Sequence, residues 1–139
     1  MEKLIPLLIV FFSLLSCQKQ QFDLTDFEVH ENSKNNSKQL NLALQSIKKL
    51  CRNGQEIYIS LPKGTYHFYE KGTFLCEYYI SNHDQDNPKR VVFNFDEWEN
   101  LVFDGNGSKF IFHGRLLPFT LKNSKNCKLK NFSIDFENP

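Results

Sequence analysis

The sequence predicts an all-β fold in which short strands coil and stack on one another. The last forty residues alternate apolar and polar side chains in segments separated by Gly, Asn and Ser; these segments are 101–104, 110–113, 119–122, 127–130 and 132–135. Asn100 opens one segment and Asn126 opens a similar one, a step of 26 residues. Aromatic residues make up 14% of the chain and suit half-buried strand surfaces. A fixed step between short strands is typical of a stacking architecture.

The amino-terminal residues form a predicted targeting segment. Lys3 supplies a positive charge, and the apolar run that follows is too short for a membrane-spanning helix of ~20 residues. The run ends in Leu14-Leu15-Ser16-Cys17, which resembles the lipobox of bacterial lipoproteins. We therefore expect a signal peptide over residues 1–16, a lipid anchor on Cys17 and a tether over residues 17–35. The protein would be exported and anchored to the bacterial outer or cell membrane, facing the periplasm or the surface; an ordinary secretory signal is the alternative.

A helix is predicted after this tether. Apolar residues recur at three- and four-residue steps and give one broad apolar face, made of Leu40, Leu42, Ala43, Leu44, Ile47, Leu50 and Cys51. Asn36 or Ser37 suits the N-cap of this helix, and Gly54 suits its end. One short strand is expected before the helix, near residues 27–30.

Two strands and a turn follow the helix. An alternating strand over residues 56–61 leads into the turn Pro62-Lys63-Gly64, and a second strand begins at Thr65. The order of helix, strand, turn and strand resembles the amino-terminal cap of right-handed parallel β-helix carbohydrate enzymes, in which the helix hides an open sheet edge. The expected fold is therefore a right-handed parallel β-helix with an amino-terminal capping helix, of which residues 36–139 hold the cap and the first rungs, truncated in mid-pattern.

Charge and cysteine content exclude some classes of function. The chain carries 17 Lys plus Arg against 16 Asp plus Glu, a net charge of +1, so no basic field indicates nucleic-acid binding. Cys51, Cys76 and Cys127 match no zinc-binding spacing, and their number is odd for a disulfide framework. We interpret them as small buried residues; one disulfide remains open, and the sequence does not choose the pair.

A polar run over residues 81–90 predicts an exposed loop. Asn82, His83 and Asp84 lie in this loop, and their polar groups suit hydrogen bonds to sugar hydroxyls. A solvated loop with no ligand is the alternative. No His-x-His or His-x3-His spacing accompanies the loop, so no metal site is expected there.

Further candidate residues lie on the last predicted strands. Arg115 follows His113 at a strand end and suits either a substrate hydroxyl or an ion pair with Asp135 on the next rung, of which we favour the ion pair. Asp135 is itself a candidate for substrate binding, and a turn residue at the strand end before Pro139 is the alternative. Asp104 belongs to the predicted tight turn over residues 103–108. The corner residues Asn123, Asn126 and Asn131 suit a stacked asparagine ladder, which is a structural role.

From residue 61 to residue 139 the sequence resembles the amino-terminal portion of glycoside hydrolase family 110, the bacterial exo-acting α-1,3-galactosidases. The match is carried by four blocks, P-K-G-T-Y-H-F-Y, Y-Y-I-S-N-H-D-Q-D-N-P-K-R-V, D-G-N-G-S-K-F-I-F-H-G-R and K-N-F-S-I-D-F-E-N-P, which span residues 62–69, 78–91, 104–115 and 130–139. The second block is the most specific, because many β-helix proteins contain a G-T-Y cap and a D-G-x-G turn.

The resemblance implies an enzyme that removes terminal α-1,3-linked galactose from glycans with inversion, without a metal or cofactor. Inverting hydrolysis uses two carboxylates that are about 6.5–9.5 Å apart. The family's catalytic aspartates have no counterpart here and are expected downstream of Pro139, so no catalytic residue is assigned and the chain alone is expected to be inactive. The implied partners are a glycan with terminal α-linked galactose and, through the lipid anchor, a membrane.

Two other functions are consistent with the same fold. One is a non-catalytic β-helix surface protein that binds glycans or adheres. The other is a different β-helix polysaccharide-degrading enzyme, such as a lyase, which would show a catalytic Lys or Arg and often a calcium site. Paired aspartates on later rungs would distinguish the galactosidase from the non-catalytic protein.

Overall fold

The computed structural model describes residues 19–51, 54–79 and 87–137 of the chain. Strands predominate in these residues and most of them pair in parallel, which agrees with the predicted all-β class. In chain order the described elements are β1 (Gln20–Asp23), a 3-10 helix (Leu24–Phe27), α1 (Ser37–Leu50), β2 (Ile57–Ser60), β3 (Thr65–Tyr69), β4 (Phe74–Cys76), β5 (Lys89–Asn94), β6 (Leu101–His113), β7 (Leu117–Thr120) and β8 (Lys128–Phe136).

The larger sheet is built around the long strand β6. The first half of β6 pairs with β2, and its second half pairs with β3, both in parallel. On its other side β6 pairs in parallel with β8, and β1 extends the sheet beyond β2. Successive passes of the chain therefore lie side by side in one direction, as in a stack.

The register repeats the 26-residue step of the sequence. Val102 lies opposite Lys128 in the larger sheet, and Val91 lies opposite Leu117 in the smaller sheet of β4, β5 and β7. Both pairs are 26 residues apart. The smaller sheet begins with β4, which is antiparallel to β5 and interrupts the parallel order.

A corner lies within β6 where the sequence predicted a separate tight turn. The register of β6 against β8 shifts between Asp104 and Ser108, so the intervening residues face only Asn131. Asn106 and Gly107 have φ angles of 50° and 79°, in the left-handed region. Gly105 needs its small size, because a Cβ there would approach the backbone oxygen of Asn131 to 2.7 Å. Residues 103–108 therefore bend one continuous strand and do not separate two strands.

Aromatic rings fill the interior between the two sheets. The side chains of Phe68, Phe93, Phe95, Phe103, Phe110 and Phe112 are all fully buried. Phe93 stacks on Phe119 of the next pass with ring centroids 4.5 Å apart. Such contacts add about 0.5–1.5 kcal/mol per pair beyond area burial. The abundance of Phe is thus explained by strand packing.

The predicted helix is present as α1, but its buried face is narrower than expected. Its buried residues are Ser37, Leu40, Ala43, Leu44 and Ile47, and the apolar ones join the aromatic core. Leu42 and Leu50, assigned to the same face by the sequence, are 54% and 57% exposed. At about 100° per residue, Leu42 lies on the side of the helix opposite Leu40, and Leu50 lies at the edge of the buried face. Asn36 occupies the N-cap position without capping, since its buried side chain instead bonds both backbone groups of His30 at 3.0 Å.

Part of the predicted tether is incorporated into the fold. Residues from Gln20 to Asp23 form the parallel edge strand β1, and Leu24 and Val29 are fully buried. The strand expected near residues 27–30 is wrong, since the 3-10 helix ends at Phe27. The sequence did not predict β1, because Gln20 and Gln21 are polar and an edge strand needs little apolar surface.

The predicted signal peptide and Cys17 lie outside the described residues. Across residues 19–51, 54–79 and 87–137, no helix has the length and apolar character needed to cross a membrane. Cys51, Cys76 and Cys127 are free thiols and are half-buried. Burial raises the pKa of the Cys51 and Cys127 thiols, which disfavours their reactive thiolate form.

Candidate functional site

Three of the candidate binding residues lie in the undescribed part of the loop. Asn82, His83 and Asp84 fall between residues 79 and 87, outside the described ranges. Their proposed role in a sugar subsite therefore stays a prediction, as does the lipid anchor at Cys17.

Arg115 and Asp135 are both described, and each contacts a different partner. The backbone N–H of Arg115 donates to Oε1 of Glu70 at 2.9 Å. Asp135 forms its ion pair with Lys109 at 2.8 Å, where the sequence had favoured Arg115. Lys109 lies diagonally across from Asp135 on the outward face of adjacent strands, and its hydrogen bond and its charge lower the pKa of that carboxyl. Both side chains are about half exposed, so this is a surface ion pair.

A cluster that the sequence did not predict lies at the carboxyl ends of β3, β6 and β8. It consists of His67, His113 and Glu137, which we call the His67–His113–Glu137 cluster. Nδ1 of His67 is 2.9 Å from Nε2 of His113, and Nδ1 of His113 is 3.1 Å from Oε2 of Glu137. Tyr69 stacks on the His113 ring with centroids 4.0 Å apart and the planes nearly parallel.

These contacts fix a consistent set of imidazole tautomers. With Glu137 as a carboxylate, which only accepts, Nδ1 of His113 donates to it. Nε2 of a neutral His113 is then an acceptor, and Nδ1 of His67 donates to it. The result is a hydrogen-bonded chain from imidazole to imidazole to carboxylate, in which the Nε2 lone pair of His67 takes no part.

The spacing of these residues explains why the sequence concealed the cluster. His67 and His113 are 46 residues apart, and Glu137 follows His113 by 24. Only the stacking of successive passes brings them together. The sequence did indicate that both histidines face outward, since His67 and His113 alternate with the buried Phe68 and Phe112 along their strands.

A second polar network is centred on Asp104 at the corner of β6. Its Oδ2 accepts hydrogen bonds from the Tyr58 hydroxyl at 2.7 Å and from Nζ of Lys130 at 3.0 Å. Its Oδ1 accepts from the backbone N–H of Asn106 and from Nδ2 of Asn131, both at 2.9 Å. A carboxylate offers about four acceptor positions. All four are used, so Asp104 has a structural role at the corner.

The same contacts explain the titration of this network. Burial alone would raise the pKa of Asp104, but the hydrogen bonds from Tyr58, Asn106, Asn131 and Lys130 together lower it well below its usual range. The hydrogen bond to Asp104 in turn raises the pKa of the Tyr58 hydroxyl and that of the Lys130 ammonium. The charged form of Asp104 is thereby held across the physiological range.

A third network holds the start of the most specific sequence block. The Tyr78 hydroxyl donates to Oδ2 of Asp96 and approaches the Thr120 hydroxyl at 3.4 Å. Burial, followed by the hydrogen bond to Asp96, raises the pKa of Tyr78. Oδ1 of Asp96 accepts from the backbone N–H of Lys122 at 2.9 Å. Both oxygens of Asp96 are therefore engaged in joining successive passes.

Two grooves on the described surface each lack a pair of carboxylates. The groove beside the 3-10 helix contains one acidic residue, Glu31, together with His30 and Tyr66. The groove between α1 and residues 71–73 contains no acidic residue. Inverting hydrolysis uses two carboxylates. These two grooves therefore offer no pair of carboxylates for inverting hydrolysis.

The fold and its networks define a class of protein: an all-β scaffold of parallel, stacked strands with a capped aromatic interior. No family model matches the chain. Curated proteins do match it: over 134 residues it is 46% identical to a protein of Bacteroides fragilis named alpha-1,3-galactosidase B. It is 49% identical over 133 residues to a protein of that name from Phocaeicola vulgatus. A third, from Parabacteroides distasonis, is 54% identical over 97 residues.

These matches cover most of this chain and little of the relatives. The first two cover 96% and 95% of the chain but 22% of each relative, and the third covers 70% of the chain and 16% of the relative. The chain thus spans about a fifth of the length of the curated relatives that it matches. The resemblance to the amino-terminal portion of glycoside hydrolase family 110 is confirmed.

Proposed function

We propose that the chain is the amino-terminal portion of an exported α-1,3-galactosidase, an enzyme that hydrolyses terminal α-1,3-linked galactose from glycans with inversion. The observation that carries the proposal is the 46–54% identity to proteins that bear this name. A relative from Shewanella woodyi, named alpha-1,3-galactosidase A, supports it at 36% identity over 87% of the chain.

The proposed architecture is a right-handed parallel β-helix. The offset between paired residues is 26 in the pairing of β5 with β7 and in the first half of the pairing of β6 with β8, and it is 24 beyond the corner of β6; these similar offsets support a regular coil. Parallel connections within one sheet are right-handed in about 98% of cases. In this arrangement α1 is the cap, since its apolar face packs on the core beside β3 and β5.

The far side of β8 is the proposed place where a further coil stacks. Ile134 and Phe136 lie opposite the buried Phe110 and Phe112 in the register, so their side chains follow the interior face. They are nevertheless 46% and 44% exposed. A further pass of chain would bury them, as β8 buries the side chains of β6.

The catalytic carboxylates are proposed to lie on those later coils. Within the described residues, Asp96 and Asp104 are engaged at both oxygens, and Asp135 is paired with Lys109. These three carboxylates therefore already have structural partners. The chain by itself is expected to be inactive, because an inverting reaction needs a pair of carboxyl groups and the family's catalytic aspartates are proposed to lie downstream of Pro139.

The binding and anchoring roles proposed from the sequence complete this account. Asn82, His83, Asp84 and Arg115 are proposed to line the galactose subsite, and Cys17 is proposed to carry the lipid that holds the enzyme on the membrane. Arg115 supports this placement, because its backbone is held against Glu70 at the loop that follows β6.

Two assays on the whole 139-residue chain, one of glycan binding and one of galactose release, distinguish the proposed galactosidase portion from a non-catalytic glycan-binding protein. We expect no release of galactose from an α-1,3-linked galactobiose, and no saturable heat of binding in calorimetry. Tight binding without turnover would favour the glycan-binding protein. Galactose release by the chain alone would show that its catalytic residues lie within residues 1–139, and Asp84 and Asp135 would be the first to test.

A further inference from the structure

The His67–His113–Glu137 cluster lies on the outward face of the larger sheet and joins three successive passes of the chain. His67 lies on β3, His113 on β6, and Glu137 directly follows β8. The backbone N–H of Glu137 donates to the carbonyl of Phe112 at 3.1 Å, so the parallel register continues to this point. His67 and His113 therefore belong to two different strands, and Glu137 lies just beyond the end of a third.

The three side chains provide the ligand types of a transition-metal site. One donor atom from each of them lies within 4.8 Å of the other two. Two imidazole nitrogens and one carboxylate oxygen form a common zinc-binding set, with water in the fourth position. Calcium and magnesium prefer oxygen ligands only, so two histidines select against them.

The distances require only a small adjustment. Two ligands of a tetrahedral zinc ion are about 3.3 Å apart when each bond is about 2.05 Å long. Nδ1 of His67 and Nε2 of His113 are 2.9 Å apart, so they need to separate by only a few tenths of an ångström. The proton of His67 moves from Nδ1 to Nε2, so that the lone pair of Nδ1 can bind the ion. The side chain of Glu137 is 63% exposed and has room to move one oxygen from Nδ1 of His113 to the ion.

The surroundings hold the least mobile ligand in place. The side chain of His113 is 11% exposed, and the stacked Tyr69 ring fixes the plane of its imidazole. A ligand whose orientation is already fixed loses less freedom on binding. We propose that His67, His113 and Glu137 bind a zinc ion that cross-links three successive passes of the chain.

This site is separate from the proposed galactosidase activity, and its role is to stabilise the stack. A ligand that binds only the folded state adds stability in proportion to the logarithm of its concentration. The ion would join His67 to His113, which is 46 positions later, and His113 to Glu137, which is 24 positions later. It would therefore oppose separation of β3, β6 and β8. The rival interpretation is a hydrogen-bonded chain that takes no metal.

The test uses the whole 139-residue chain without an affinity tag, with Co²⁺ as a spectroscopic probe and Zn²⁺ as competitor. We expect one Co²⁺ per chain, visible d–d absorption, displacement by Zn²⁺, and a melting temperature that rises with the Zn²⁺ concentration. Each of His67→Gln, His113→Gln and Glu137→Gln should weaken binding by at least about 10-fold. Of these substitutions Glu137→Gln disturbs the fold least, because the Glu137 side chain is exposed.

The matched control is His30→Gln, since His30 also contacts a glutamate, Glu28, at 3.3 Å but has no second histidine. Binding should be unchanged in this variant. The proposal is overturned if wild type shows no one-to-one Co²⁺ binding, or if the three cluster variants bind as wild type does. It is equally overturned by a thiolate-to-cobalt charge-transfer band, which would place the ion on the free cysteines.

Discussion

The side-chain amide of Asn126 donates a hydrogen bond to Oδ1 of Asn100 at 2.8 Å, one pass of the chain away. Both residues have left-handed backbones, with φ angles of 54° and 55°. Asparagine tolerates this conformation better than other residues with a Cβ. Each pass thus uses the same residue for the same corner, and the two side chains bond across the step.

We expect Asn126→Ala to destabilise the chain by about 1–2 kcal/mol, because alanine is strained in the left-handed region. Asn126→Gly removes the same hydrogen bond without that strain, so it should cost less. Urea unfolding followed by circular dichroism, at one fixed protein concentration, measures both. If the two variants lose the same free energy of unfolding, the left-handed backbone of residue 126 does not determine the cost of the substitution.

Replacing Asp104 tests the corner network and its pH dependence. Asp104→Asn leaves Tyr58 and Lys130 without their charged acceptor and should cost about 1–3 kcal/mol at neutral pH. The folded-state pKa of Asp104 lies below its unfolded value, so its contribution is complete above about pH 4–5 and is lost as the pH falls toward the folded pKa.

The difference in stability between wild type and Asp104→Asn should therefore shrink in acid. Asp135→Asn is the matched control, since its ion pair with Lys109 is exposed to solvent and contributes little to stability. Unfolding free energies between pH 3 and pH 8 measure both variants. A constant difference for Asp104→Asn across this range would contradict the assignment.

The exposed residues on β8 predict association of the 139-residue chain. Ile134 and Phe136 are interior-type side chains on a strand whose outer edge has no pairing partner among the described residues. Exposed apolar edges recruit other chains. Light scattering should show assemblies that grow with concentration and that Phe136→Lys reduces. Leu42→Lys, at an exposed site on α1, should leave them unchanged; a wild-type monomer at all concentrations would contradict the prediction.

The anchor predicted from the lipobox-like tetrad is tested by labelling. In cells of a lipoprotein-exporting bacterium, labelled palmitate should appear on the wild-type chain and be absent from Cys17→Ala. Cys51→Ala, which alters a half-buried thiol within the fold, should keep the label. Equal labelling of wild type and Cys17→Ala would exclude the anchor.

The sequence predicted the local and periodic parts of this structure. Residues Asn100 and Asn126 indicated the 26-residue step, and helical periodicity predicted α1 and its start at Ser37, although the helix ends at Leu50, before the predicted stop at Gly54. In contrast, β1 is polar and short, and it is held by pairing with β2 that no local pattern encodes. The exposure of Leu42 could have been predicted from helix geometry, because Leu42 is two residues from the buried Leu40 and therefore lies on the opposite side of α1.

Contacts between passes were the least accessible to prediction. His67, His113 and Glu137 are unremarkable in sequence, and they meet only because three strands share one register. For the same reason Asp135 pairs with Lys109, although the local sequence favoured Arg115. Predicting such contacts requires the register of each pass, including the three residues that the corner of β6 inserts opposite Asn131.

Exchange of this chain into a relative tests the central proposal most directly. In the Bacteroides fragilis protein, the 134 matching residues would be replaced by those of this chain. The folded chimera, compared with the unmodified protein, is given an α-1,3-linked galactoside, and proton NMR records the anomer of the first galactose released. We predict galactose release with the β-anomer formed first. A folded chimera that releases no galactose, or that forms the α-anomer first, would contradict the proposal.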